Sequence, residues 1–130
     1  MKTAALQLVI IAAILLLLDM IWLTSTSATS RAMFAALQGS PLQIRWIPAA
    51  LTYVLMTAAI WFFAVAPSAD ATTAAGRGAL LGLAMYGIYD LTNYATLTRY
   101  TLQFALTDVA WGTFLFAVAA TAATAATAWA

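Results

Sequence analysis

Ala4-Ala-Leu-Gln-Leu-Val-Ile-Ile-Ala-Ala-Ile-Leu-Leu-Leu-Leu-Asp19-Met-Ile-Trp22-Leu-Thr24-Ser25 is the stretch on which the fold class turns. Wound as an α-helix at ~1.5 Å per residue it spans a hydrocarbon core ~30 Å thick, with Asp19 as its one charge. Three further stretches have similar length and character. One runs over about 46–66, opens Trp-Ile-Pro and carries no charge; Pro48 falls in its first turn, where a missing N–H does no harm. The next covers about 78–97 with Asp90 inside it, and the last about 102–128 with Asp108 near its start and an Ala/Thr-rich tail. The expectation is one transmembrane domain over 1–130, an all-α integral membrane four-helix bundle.

Composition agrees. Of 130 residues, 65% are hydrophobic and 7% charged, against ~45–50% and ~25% in soluble domains. Nine charged side chains (five basic, four acidic) cannot cover so small a soluble protein, so the apolar excess faces lipid. There is no Cys, which excludes disulfides and thiolate chemistry, and no His, the commonest metal ligand and neutral-pH base. Neither a metal site nor a cofactor is expected. A net charge of +1 without a basic tract gives no reason to expect nucleic acid.

The connections fit the spans. Thr26–Arg45 reads as a polar first loop with Gly39-Ser40-Pro41 as a turn. Within it, Met33–Leu37 is apolar and fits either an interfacial half-helix or an extension of the first helix. Pro67–Arg77 is a second loop, and Thr98–Thr101 a tight turn that makes the third and fourth helices antiparallel neighbours. The start, Met-Lys-Thr before an apolar run, resembles a signal peptide, but Asp19 and Trp22 stand where cleavage needs small neutral residues. An uncleaved first helix is expected. Lys2 and Arg77 on one side against Arg31, Arg45 and Arg99 on the other set no orientation.

An acid in hydrocarbon costs at least ~2.5–3.5 kcal/mol at a helix centre, so Asp19, Asp90 and Asp108 each need a reason. Asp19 and Asp90 lie in the second halves of odd helices, which run the same way. Asp108 lies in the first two turns of the fourth, which starts from the face they approach. All three then fall within roughly 10 Å of the midplane on one side, where they can share one cavity.

Their neighbours follow helical spacing. Tyr86, Asp90, Asn93 and Leu97 form a stripe with Tyr89 beside it, and backwards it meets Gly82 and Gly78, a pair that permits close helix approach. Asp19, Trp22 and Thr26 form the set on the first helix; Phe104, Asp108, Trp111 and Leu115 that on the fourth. Asp19-x-x-Trp22-x-Thr24 is echoed by Asp108-x-x-Trp111-x-Thr113, the pattern of an inverted repeat.

Two readings of these residues stand side by side. In one, Arg99, nine residues from both Asp90 and Asp108, snorkels along the helices and pairs with an acid, so that the polar residues only pin the helices together. In the other, three acids against one well-placed Arg leave a carboxyl free to bind or carry a proton, a cation or the polar head of an amphipathic solute. Trp46, Tyr100 and Trp129 are expected as interface anchors, and Trp61-Phe62-Phe63 as a lipid-facing group. The small residues of 119–130 suit tight packing or self-association.

Tyr89-Asp90-Leu91-Thr92-Asn93-Tyr94-Ala95-Thr96-Leu97, followed by Asp108-Val109-Ala110-Trp111-Gly112-Thr113-Phe114, resembles the bacterial membrane proteins grouped as domain of unknown function family 2177. Asp19 and Trp22 look like that family's first-helix motif. The chain departs from the pattern in the first loop, where Phe34 and Gln38-Gly39 stand and His is absent. The resemblance covers essentially the whole chain. It implies multi-pass topology in a bacterial inner (cytoplasmic) membrane and marks the same residues, without an assigned activity. It also implies an association with lipid- or fatty-acid-modifying enzymes, near which relatives are often encoded.

Three functions therefore stay in view. One is a binding or proton-handling site formed by Asp19, Trp22, Tyr86, Tyr89, Asp90, Asn93, Asp108 and Trp111. The second is a non-catalytic subunit or assembly partner, as a homo-oligomer or with another membrane protein. The third, the least expected, is an enzyme using carboxylates alone on lipid.

Overall fold

The computed structural model describes residues 2–128. The chain is an all-α bundle: α1 (Lys2–Gln38), α2 (Trp46–Ala59) continued by a π-helical segment (Ile60–Val65), α3 (Ala71–Thr96) and α4 (Leu102–Ala126). Three of these helical stretches, Thr3–Gln38, Trp46–Val65 and Leu102–Ala126, are long and apolar enough to cross a membrane. α3 is long enough, at 26 residues, but its glycines, tyrosines, Asp90 and Asn93 dilute its apolar character.

The largest departure from expectation is at α1. Residues 26–38 do not form a loop; they extend the first helix, so α1 has 37 residues and is about 55 Å long. Thr24, Ser25, Thr26, Ser27 and Ser30 would favour turns if their hydroxyls competed for the backbone. Here each donates to a backbone carbonyl three or four residues back, which keeps the helix going through a polar stretch. The helix ends where Gly39 takes φ +74°, the left-handed conformation that suits a residue without Cβ.

α3 begins earlier than composition indicated, because Asp70 caps it. The Asp70 carboxylate accepts from the Thr73 backbone N–H at 2.8 Å and from the Thr73 hydroxyl at 3.0 Å. These bonds, the backbone one first, hold its carboxyl below the usual carboxylate range. A depressed folded-state value means that the cap's contribution is complete above the unfolded value of about 3.9 and is lost as pH falls through the folded one. Asp70→Ala is therefore expected to lower the unfolding temperature in detergent at neutral pH. The gap from wild type should close on acidification below about pH 4, as a pH series of melts would show.

Packing is centred on α4, which lies between α1 and α3. α3 and α4 approach most closely: at Gly78 and Gly82 an added Cβ would run into the Phe116 and Gly112 backbone. Ala119, Ala120 and Ala123 are fully buried, so these small residues of the fourth helix are used inside the chain. The π-helical segment, marked by the Ala66 N–H donating to the Trp61 carbonyl five residues back, touches α1, α3 and α4. There Ile60, Ala64 and Val65 join Ile11, Leu15, Leu115 and Phe116 in a closed apolar core.

Trp61 departs from the lipid-facing expectation that Phe62 and Phe63 meet. Its ring is half-buried, and its N–H donates to Gln7, whose amide in turn donates to Thr127. Trp46, 75% exposed, is placed as an anchor would be; Trp129 lies outside the described residues. α2 behaves differently from the other helices. It leans on α1 and on its own π-helical continuation, while its Cα atoms stay more than 8 Å from those of α3 and α4.

Candidate functional site

The standing-off of α2 leaves a cleft of about 930 Å3 at the end of the bundle where α1 finishes and α4 starts. Asp19 and Asp108 line it, with Trp22, Trp111, Tyr53, Tyr86 and Tyr89 around them and Arg31 among the lining residues of α1. The walls are otherwise mainly apolar. Towards the other end the cleft stops at the closed core of Ile11, Leu15, Ile60, Leu115 and Phe116, each with no exposed surface.

Two helices supply a reciprocal clasp. Trp111 Nε1 donates to Asp19 Oδ1 at 2.9 Å, and Trp22 Nε1 donates to Asp108 Oδ1 at 3.1 Å. The two indoles stack between these bonds, with centroids 4.9 Å apart and planes 6° from parallel. The Asp-x-x-Trp echo noticed in the sequence is thus a local two-fold contact: antiparallel helices set each Asp opposite the other's Trp. The threonines of the echo take no part, since Thr24 and Thr113 bond to carbonyls of their own helices.

Asp19 is completed from α2, where the Tyr53 hydroxyl donates to Oδ2 at 3.0 Å. Asp90 is fully buried behind Asp108, and the Tyr100 hydroxyl donates to its Oδ1. Among the described residues its Oδ2 has no donor. The Asp108 carboxyl is the acidic neighbour of Asp90 on the cleft side.

Among the described residues the four donors to the three carboxyls are therefore neutral: two indoles and two phenols. Arg99 is not among them. Its guanidinium donates to the Ala36 carbonyl at 3.1 Å, because the extended α1 brings its last turns beside the α3–α4 connection. The ion-pair role expected for Arg99 is corrected to a bridge between α1 and that connection. Tyr100 is corrected too. It is 3% exposed rather than an interface anchor, held edge-on by Phe34 at 6.0 Å and Phe104 at 5.5 Å with its hydroxyl on Asp90.

The structure brings Asp19, Trp22, Tyr86, Tyr89, Asp108 and Trp111 to one cleft and sets Asp90 directly behind it. Asn93 is half-buried beside Tyr100, off the cleft. Sequence reasoning missed Tyr53, Tyr100 and the role of the α1 hydroxyls. Tyr53 is the one ionisable side chain of an otherwise chargeless span, a signal that could have been read. Tyr100 carried no such signal.

The family model described as predicted membrane protein (DUF2177) matches residues 4–125. The chain belongs to the DUF2177 family. The match takes in Asp19, Asp90, Asp108 and both stacked tryptophans of this DUF2177 member, so the clasp lies within the family's own span. No curated protein and no solved structure matches the chain.

Proposed function

We propose that this DUF2177 protein binds an amphipathic molecule by its polar head in the Asp19/Asp108 cleft, as a multi-pass protein of a bacterial cytoplasmic membrane. One observation carries the reading. A cleft of about 930 Å3, mostly apolar, ends on two carboxyl groups at one end of a bundle whose other end is closed. Sites for small molecules have this form, with volumes of about 300–1,000 Å3 and a few convergent polar groups in apolar walls.

Conduction is the weaker reading. A proton or cation that reached Asp19 would meet the side chains of Leu15, Ile11 and Phe116, which have no exposed surface and offer no polar relay. A role as assembly partner loses the features that suggested it. Gly78 and Gly82 are already used between α3 and α4, and Ala119, Ala120 and Ala123 are fully buried within the chain.

Purification in mild detergent followed by extraction and mass spectrometry tests the proposal. Wild-type protein is expected to retain an amphiphile near one per chain, and Asp108→Asn to lower its occupancy by about tenfold at limiting ligand. Equal retention by both proteins would remove the cleft carboxyl from the site. Proton or cation flux above that of empty liposomes would replace binding by conduction.

A further inference from the structure

The polar atoms of the cleft have a one-sided hydrogen-bonding character. Thr26, Ser30 and Thr52 each give their hydroxyl proton to the carbonyl four residues back, and Ser27 gives its own to Thr24. What these side chains offer the cleft is oxygen lone pairs. The indoles and the Tyr53 hydroxyl are already committed to the carboxyls. Arg31, an exposed side chain, and the Tyr86 and Tyr89 hydroxyls are the lining donors left.

Charge points the same way. Among the described residues, every donor to the three carboxyl groups is neutral. The buried Asp90 Oδ2, still without a donor, stands directly behind Asp108. Acidic groups desolvated in this way call for a cation or a strong donor. On the open side, α2 stays apart from α3, so residues of both helices line the cleft without closing it. On the rims of that gap the cleft-lining Ile44, just before α2, and Tyr89 of α3 remain 63% and 55% exposed.

We infer that the head recognised in the cleft is an ammonium group on a long-chain membrane amphiphile, whose chain leaves sideways into lipid between α2 and α3. This rests on the amphiphile-binding reading and adds the head chemistry and the route. Thr26, Ser30 and the two cleft aspartates accept from the ammonium hydrogens, and the apolar rims cover the chain as it turns into the bilayer.

Because the chain has no Cys, Thr26→Cys gives a single reporter inside the cleft. In phosphatidylcholine nanodiscs, its maleimide labelling rate is followed while dodecylamine, dodecanol, dodecanoate or the short soluble butylamine is added. Dodecylamine is expected to protect the thiol at a concentration at least about tenfold below that needed for dodecanol, with dodecanoate weakest. Asp19→Asn and Asp108→Asn, each combined with the reporter, should reduce that preference to near unity. They keep a carbonyl acceptor for the indole, and their fold is checked by thermal unfolding.

Equal protection by dodecanol and dodecylamine, or stronger protection by dodecanoate, overturns the ammonium head and leaves the amphiphile-binding reading standing. Butylamine as effective as dodecylamine overturns the lateral route, since the chain then contributes nothing. If none of the long-chain compounds protects the thiol, the amphiphile-binding reading falls with the inference.

Discussion

Gly82→Leu is expected to abolish the folded bundle. An added Cβ at Gly82 would stand 2.9 Å from the Gly112 carbonyl carbon and 3.0 Å from the Phe116 Cβ, with the Gly112 oxygen closer still. Backbone atoms of α4 cannot swing aside as a side-chain tip can, so the helices must part. Over-packing that side chains can absorb costs about 1–3 kcal/mol. Gly82→Ala, whose Cβ meets backbone, should cost at least the upper end of that range, and leucine more again. Parting α3 from α4 would also loosen Tyr86, whose ring lies over Gly112, and take Asp90 away from Asp108. Unfolding by SDS titration, followed by circular dichroism and tryptophan fluorescence, reads the effect. Gly76→Ala is the control: nothing lies within 4 Å of its added Cβ. Alanine there should stabilise α3 by about 0.5–1 kcal/mol. Gly82→Ala as harmless as Gly76→Ala would show that the close approach of α3 and α4 is not required.

Tyr100→Phe is expected to cost about 3 kcal/mol, far more than removal of a typical membrane hydrogen bond at ~0.6 kcal/mol. The average is low because groups released in a membrane usually find other partners. Asp90 has none at hand: it is fully buried, Oδ2 already lacks a donor, and Tyr100 is the donor to Oδ1. The phenylalanine ring keeps the contacts with Phe34 and Phe104, so the change isolates the hydroxyl. Adding Asp90→Leu should restore most of the loss, since removing both members of a buried polar pair is cheaper than removing one. A double-mutant cycle on the SDS midpoint provides the check. A Tyr100→Phe cost below about 1 kcal/mol, with no recovery in the double variant, would refute this account of Asp90.

Much of the site was readable from chain direction alone. Asp19 and Asp90 lie late in helices that run one way and Asp108 early in one that runs the other, so their meeting at one end follows from topology. The Gly78/Gly82 approach was readable for the same reason, because residues four apart share a helix face. The partners of the acids were not readable. Arg99 was the natural candidate by spacing, but the unbroken extension of α1 through residues 26–38 drew it to Ala36. The same extension carries Phe34 to Tyr100 and so turns an expected interface tyrosine into the buried donor to Asp90.

Amino-acid order by itself determined that this protein is a helical membrane protein with three acids at a common level. Apolar run length and the cost of charge in lipid are local properties, legible without neighbours. Only the tertiary structure decided that neutral indoles and phenols are the donors to those acids, that Asp90 sits behind Asp108, and that α2 stands away from α3 to open a cleft. Hydrogen-bond partners and gaps depend on how helices rotate and tilt against one another. That is fixed by side-chain packing summed over the whole bundle, which no single segment encodes.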